Sequence, residues 1–301
     1  MNQPNQDTFK SGYVSIIGEP NVGKSTLVNA MMGEKLAIVT PKPQTTRNQI
    51  TGIATTERYQ VIFLDTPGVV APKYLLHDKM VKAAYRAIED ADLIVYMIDG
   101  SQLPPRLEAQ ILNRLRKAKS QKVFLAINKI DLLARPALLP IIAEYNGKFP
   151  FVEIVPISAR KGSDVLRLRD LLVVHLPAGP LYFPDDQISD LPERFFVAET
   201  VREKIFLKTQ QEVPYASGVT VEEFKHRPKG TIYIRATIYI ERESQKRILI
   251  GERGRMIKEI GQLAREEIEQ FLDSSVFLEL QVSIKADWRR DARKLKDMGY
   301  A

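Results

Sequence analysis

At 301 residues the chain is longer than one ordinary domain, and two compact units are expected. A hydrophobic share of 44% with 27% charged residues excludes a fibrous or disordered chain. With no cysteine and only three histidines, a disulfide scaffold, a thiolate zinc site and a His-rich metal centre are excluded as well. The longest clean apolar run, Leu93–Ile98, falls far short of the ~20 residues that span a bilayer. Met1 to Ser11 is polar and carries no apolar stretch that reads as a secretory signal, so residues 1–12 are expected to be a flexible tail. The net charge of +7 is unevenly spread. Residues 1–183 hold 23 basic and 16 acidic side chains, and residues 184–301 hold 21 of each. Bulk charge therefore does not mark the second half as nucleic-acid binding; local clustering has to carry that case.

From Tyr13 onward, short apolar runs alternate with longer amphipathic stretches, the pattern of a parallel sheet flanked by helices. Strands are predicted at Tyr13–Ile17, Gln49–Ala54, Gln60–Leu64, Leu93–Ile98, Val123–Ile127 and Val152–Pro156. Helices are predicted at Lys24–Met32, Asp78–Ile88, Arg106–Lys117, Ala137–Tyr145 and Val165–His175. The second and third strands are joined by too few residues for a crossover helix, so they should form an antiparallel hairpin. Three prolines and a glycine crowd the stretch from Leu176 to Pro184, which reads as the start of a linker over residues 177–190. Beyond it the order changes to helix (Arg194–Gln210), two strands (Gly218–Phe224, Thr231–Glu241), two helices (Gln245–Ile250, Arg255–Leu272) and a strand (Val276–Ile284). The expectation is an α/β domain over residues 13–176 followed by an α+β domain over residues 191–301.

Gly18-Glu19-Pro20-Asn21-Val22-Gly23-Lys24-Ser25 fits the phosphate-loop pattern, directly after a strand and directly before a helix that continues with Thr26. In that context backbone N–H groups and the helix N-terminus can cradle phosphate. Lys24 can reach the outer phosphates, and Ser25 can offer its hydroxyl to Mg²⁺. Asp65-Thr66-Pro67-Gly68 closes the third strand and puts a carboxylate at its C-terminal end, placed to hold the metal, while the Gly68 N–H can approach a γ-phosphate. Thr45-Thr46-Arg47 lies in a proline-bearing loop. Thr46 is favoured as the further metal ligand, with both threonines as ordinary loop hydroxyls the alternative. Asn128-Lys129-Ile130-Asp131 follows the fifth strand: Asp131 can accept from the ring N–H and amine of guanine, Asn128 can tie this loop to the phosphate loop, and the Lys129 stem can cover the ring. Ser158-Ala159 follows the sixth, where the Ala159 N–H can meet the guanine oxygen.

These elements in this order resemble the GTPase superfamily. The resemblance implies Mg²⁺-dependent binding of GTP and GDP and hydrolysis of GTP, with Lys24, Thr46, Asp65 and Gly68 at the reacting phosphate. One position departs from it: where Ras-like members carry a water-orienting glutamine, this chain has Val69, so slow intrinsic hydrolysis is expected. A phosphate-loop kinase or ATPase would lack the Asn-Lys-x-Asp motif.

In the second half, Gly251-Glu252-Arg253-Gly254 lies between two helical patterns, preceded by Ile250. This is the arrangement by which a KH domain clamps the backbone of single-stranded RNA. Lys246, Arg247, Arg253, Arg255 and Lys258 surround it against one acidic residue, Glu252, which is the charge footprint of phosphate contacts. Trp288, beside Arg289 and Arg290, is expected to pack within its own domain, with stacking on RNA as the alternative. Taken with Pro-Gln-Thr-Thr-Arg at 43–47 and Ile-Gly-x-x-Gly-x-x-Ile-Lys-x-Ile-Gly at 250–261, the chain resembles the Era family of bacterial GTPases over nearly its whole length. That resemblance implies a GTPase domain with a mostly parallel sheet followed by a KH-type domain. It also implies binding near the 3′ end of small-subunit (16S) rRNA, assistance to small-subunit assembly and rRNA maturation, and a cytoplasmic location with peripheral contact at the inner face of the membrane. A monomer without a DNA partner is expected.

Overall fold

In the computed structural model of the chain, residues 9–118, 121–228 and 230–300 are described. The described chain divides into two compact units, residues 9–72 with 77–190 and residues 73–76 with 191–300.

The first unit runs β1 (Lys10–Ile17), α1 (Lys24–Met32), β2 (Ile50–Thr55), β3 (Tyr59–Asp65), α2 (Leu75–Glu89), β4 (Leu93–Asp99), α3 (Glu108–Lys117), β5 (Lys122–Asn128), α4 (Leu138–Lys148), β6 (Ile154–Pro156) and α5 (Val165–His175). The sheet order is β2-β3-β1-β4-β5-β6. All pairings are parallel except β2 with β3, where Ile50 opposes Asp65 and Thr55 opposes Gln60. The parallel strands read as unbroken apolar runs because both faces are covered. Val95 and Met97 join Leu27, Val28, Leu168 and Leu172 on the α1/α5 side. Ile94, Tyr96 and Ile98 join Ala84, Ile88, Ile111 and Leu115 on the other. The strands β1, β3, β4 and β5 end together on one edge, and their C-terminal loops carry the phosphate-loop and base-reading motifs.

Two segment boundaries of the domain layout differ from the sequence reading. Phe9 is buried and Lys10–Gly12 belong to β1, paired with Tyr59–Val61, so the tail stops well short of residue 12. Met1–Thr8 lie outside the described residues. The stretch 177–190 is held to the first unit by hydrogen bonds. Ser11 N–H donates to Pro177 O, Gly179 N–H to Phe9 O, Ile53 N–H to Ile188 O and the Ser189 hydroxyl to Thr51 O. The Gln60 side chain, fully buried, accepts from the N–H groups of Tyr182 and Phe183 and donates to Phe183 O and the Thr55 hydroxyl. Proline removes donors from this stretch but leaves its carbonyls, and both the carbonyls and the remaining N–H groups find partners here.

The second unit comprises α6 (Glu193–Lys208), α7 (Val213–Ala216), β7 (Gly218–His226), β8 (Ile232–Ile240), α8 (Glu243–Ile250), α9 (Arg255–Leu272), β9 (Val276–Ile284) and α10 (Ala292–Asp297). Its sheet, β7-β8-β9, is antiparallel between β7 and β8 and parallel between β8 and β9. Val197, Val201 and Ile205 of α6 and Ile260, Ala264 and Ile268 of α9 pack with Ile234 and Ile238 of β8. The spacing of the apolar residues of α9 makes one stripe of a helix, which is why this element is legible to the residue. The short α7 and α10 escape a periodicity search. What starts α10 is Asp291, which accepts from the N–H groups of Arg293 and Lys294. Trp288 is wholly buried, stacks on Tyr300 and donates its indole N–H to Ala216 O at 2.9 Å. Its ring is thereby unavailable to RNA, and the stacking alternative is withdrawn.

The Gln60 contacts lead to a stability prediction. Gln60→Leu strands the N–H groups of Tyr182 and Phe183, so it should lower stability by about 1–3 kcal/mol and expose 177–190 to protease. Urea unfolding with limited proteolysis checks this; parental stability and parental cleavage would show that Gln60 does not hold the stretch.

Candidate nucleotide and RNA sites

The phosphate loop is shaped by close approaches that tolerate no side chain at three positions. A Cβ on Gly18 would lie 2.3 Å from Met97 O, one on Gly23 2.3 Å from the Asn128 amide nitrogen, and one on Gly68 2.7 Å from the Pro20 backbone. Gly23 also adopts φ +105°, in the region that favours glycine. The turn that carries Gly68 is fixed by Thr66, whose hydroxyl donates to Ile16 O at 2.7 Å, and by the Val69 N–H, which donates to Gly18 O at 3.0 Å. Val69 itself is buried in the apolar core.

Oxygens from three separate segments converge beside this loop. The Ser25 hydroxyl lies 2.6 Å from Asp65 Oδ2 and 2.8 Å from the Thr46 hydroxyl. Thr45 is turned elsewhere, donating to Lys42 O and pairing with the Thr40 hydroxyl. Asp65 Oδ1 is buried without a hydrogen-bond partner. A carboxylate with an orphaned oxygen beside two hydroxyls is a hard-oxygen donor set, suited to Mg²⁺ bound through few protein ligands. Among the described residues no cluster of three His, Asp or Glu side chains offers an alternative metal site. Lys24 is buried and donates to Gly18 O and Glu19 O. Desolvation lowers its ammonium to about 8 despite the attraction of Asp65 and Glu19. Desolvation likewise raises Asp65 to about 6, against the pull of Lys24 and the hydrogen bonds from Ser25 and Thr46. Of the remaining loop residues, Val22 is buried and Thr26 half-buried in α1. Glu19 accepts from the Leu107 N–H, and the Asn21 amide donates to Pro41 O.

The base-reading loop is tied to the phosphate loop by Asn128. Its amide donates to Val22 O at 2.7 Å, and its carbonyl accepts the Ala159 N–H at 2.9 Å. That last contact corrects the sequence reading: the Ala159 N–H is engaged by Asn128 rather than standing open to a base oxygen. Asp131 is exposed and accepts from the buried Ser158 hydroxyl at 2.6 Å, which fixes its carboxylate. Lys129 sits at φ +65° and extends its ammonium to Asp99, a residue that motif reading passed over.

In the second unit Gly251 (φ +73°) and Gly254 (φ +78°) flank an exposed Glu252 and Arg253. A Cβ on Gly251 would meet Met256 at 2.7 Å, and Gly254 begins α9, so this turn delivers backbone directly to a helix N-terminus. Arg247, Arg253, Arg255 and Lys258 are exposed and Lys246 and Ile250 half-buried. The acidic side chain beside this cluster, Glu259, pairs with Lys208 and feels Arg255 only as a weaker charge, and the exposed basic side chains face solvent, where a polyanion can reach them.

Comparison with known proteins matches each of the two units. A profile described as a 50S ribosome-binding GTPase matches residues 13–129, and a KH-domain profile matches residues 212–289. The first covers only the nucleotide unit, so its description bears on that unit alone. The chain is 50% identical over 293 residues to GTPase Era of Geobacter metallireducens and 51% identical over 292 residues to that of Geotalea uraniireducens. In each case this spans 97% of the chain and 98% of the relative. Among solved structures, Aquifex aeolicus Era bound to GDP·AlF4⁻ superposes with a TM-score of 0.94 at 42% identity, covering 97% of this chain and all of that one. A structure of Era with MgGDPNP and nucleotides 1506–1542 of 16S ribosomal RNA superposes equally well, at 42% identity over 97% of this chain and 99% of that one. This chain belongs to the Era family of GTPases.

Proposed function

We propose that the chain is a guanine-nucleotide switch that hydrolyses GTP with Mg²⁺ in its first unit and binds RNA near the 3′ end of the small-subunit rRNA with its second, in support of small-subunit assembly and rRNA maturation. The observation that carries the nucleotide half is the convergence of Ser25, Thr46 and Asp65 within 2.8 Å beside the buried Lys24. Mg²⁺ held there by Ser25 and Thr46, with Asp65 alongside, would neutralise charge on the outer phosphates. Lys24 then exchanges its bonds to Gly18 O and Glu19 O for phosphate oxygens, and the Gly68 N–H can face the γ-phosphate. Asp131, steadied by Ser158, reads guanine. The buried Val69 takes no part in orienting water, so intrinsic turnover is slow. The RNA half rests on the Gly251–Gly254 turn, its basic surround and the likeness to an Era structure that holds a 16S fragment. No helix of the described residues is long and apolar enough to cross a membrane. From the likeness to the Era relatives we infer a cytoplasmic protein that acts on RNA as a monomer.

Replacing Asp131 by Asn should weaken GTP and favour xanthosine triphosphate, a change of a few kcal/mol in relative affinity read by competition titration; unaltered preference would remove Asp131 from base reading. The affinity for Mg·GDP should fall as pH drops through about 6, because Asp65 must lose its proton to hold the metal. It should also fall as pH rises through about 8, because Lys24 must keep its proton to bind phosphate. Calorimetric titration from pH 5 to 9 checks this bell, and a flat profile would contradict it. Changing both Glu252 and Arg253 to Asp should abolish binding to an RNA matching the 3′ end of 16S rRNA while sparing guanine-nucleotide binding, since both side chains are exposed. Equal RNA affinity at equal salt would reduce the turn to a helix connection.

A further inference from the structure

We propose that Asp99 is a positioning residue of the guanine site, acting through Lys129 to hold the lysine stem in place for the base; this rests on the nucleotide reading above. Asp99 is the last residue of β4 and lies in register with Asn128 at the end of β5. Its carboxylate is buried and committed on both sides. Oδ1 accepts the Ser101 N–H at 3.0 Å and the Ser101 hydroxyl at 2.6 Å, and Oδ2 accepts the Lys129 ammonium at 2.5 Å. The backbone on either side is drawn together as well. Gly100 N–H donates to Asn128 O at 2.9 Å, and a Cβ on Gly100 would touch Ile127 and Leu133 at 3.0 Å. Lys129 meets this pair from a left-handed backbone conformation.

A lysine has four rotatable side-chain bonds, and its stem can cover a ring only after most of its rotamers are given up. Anchoring the ammonium at Asp99 fixes both ends of the stem, the backbone end at the base-reading turn and the charged end at β4. The ordering cost then falls on the folded protein and not on the binding step. Asp99 touches no atom that reads base identity in this scheme; that task stays with Asp131. Its loss should therefore weaken GTP, GDP and xanthosine nucleotides alike.

The test is a double-mutant cycle in the full chain with a fluorescent GDP analogue as probe. Asp99→Asn is expected to weaken binding between about threefold and tenfold, the range set by immobilising one rotamer-rich side chain. Turnover at saturating GTP and the ratio of guanosine to xanthosine affinity should stay unchanged. In a Lys129→Ala background the same substitution should have no further effect. Ser101→Ala, an exposed change that removes only the hydroxyl donor, should give a smaller loss that also vanishes in that background, and it serves if Asp99→Asn does not fold. Equal losses with and without Lys129 would make Asp99 a structural residue and overturn the proposal, as would parental affinity in both single variants. If the parent chain itself failed to bind the probe, the nucleotide reading would fall, which is a different outcome from either.

Discussion

Burying Lys24 and Asp65 in one shell is the constraint on which the nucleotide unit depends. For both groups desolvation outweighs their mutual attraction, bringing the lysine down to about 8 and the carboxyl up to about 6. Each shift is worth roughly 3 kcal/mol of differential interaction. Near neutral pH both are still largely charged, and each is poised to be stabilised by a partner of opposite sign. In the proposed function an anionic phosphate would do that for Lys24 and a divalent cation for Asp65. The pair is held in shape by the carbonyls of Gly18 and Glu19 and the hydroxyls of Ser25 and Thr46.

Holding that shell requires backbone segments to approach more closely than side chains allow. Gly18 against Met97 O, Gly23 against Asn128 and Gly68 against Pro20 bring four strand ends into one arrangement, and Asn128 bonds it from Val22 to Ala159. The same device recurs in the second unit, where Gly251 lies against Met256 and the exposed Glu252-Arg253 turn leads into α9. Both sites expose backbone at a helix N-terminus to an anion.

The elements whose physics is local were legible from residue order alone. The apolar strands, the helices α1, α5 and α9, the phosphate loop, Asp65 and Asn128–Asp131 each carry a periodicity or a spacing tied to one job. Residue order alone does not separate Thr46 from Thr45, whereas in the fold the Thr46 hydroxyl faces Ser25 and the Thr45 hydroxyl donates to Lys42 O. What stayed hidden depends on partners far along the chain. Gln60 looks like any strand polar residue until Tyr182 and Phe183 come back to it. Asp99 is an acid at a strand end until β4 and β5 align it with Lys129. The proline-rich stretch reads as a free linker because composition reports the missing donors and not the carbonyls that pair. Trp288 lies among arginines in sequence yet points into its own core, since its single N–H needs only one buried carbonyl.

We propose that a guanine nucleotide with Mg²⁺ specifically completes the first unit. Scanning calorimetry of the full chain, with and without Mg·GDP, tests it most directly. At 100 times its dissociation constant the nucleotide should stabilise the first unit by about 2.7 kcal/mol, raising that transition and leaving the RNA-binding unit where it was. Mg·ADP at the same concentration should shift neither; an equal shift with ADP, or none with GDP, would contradict the claim.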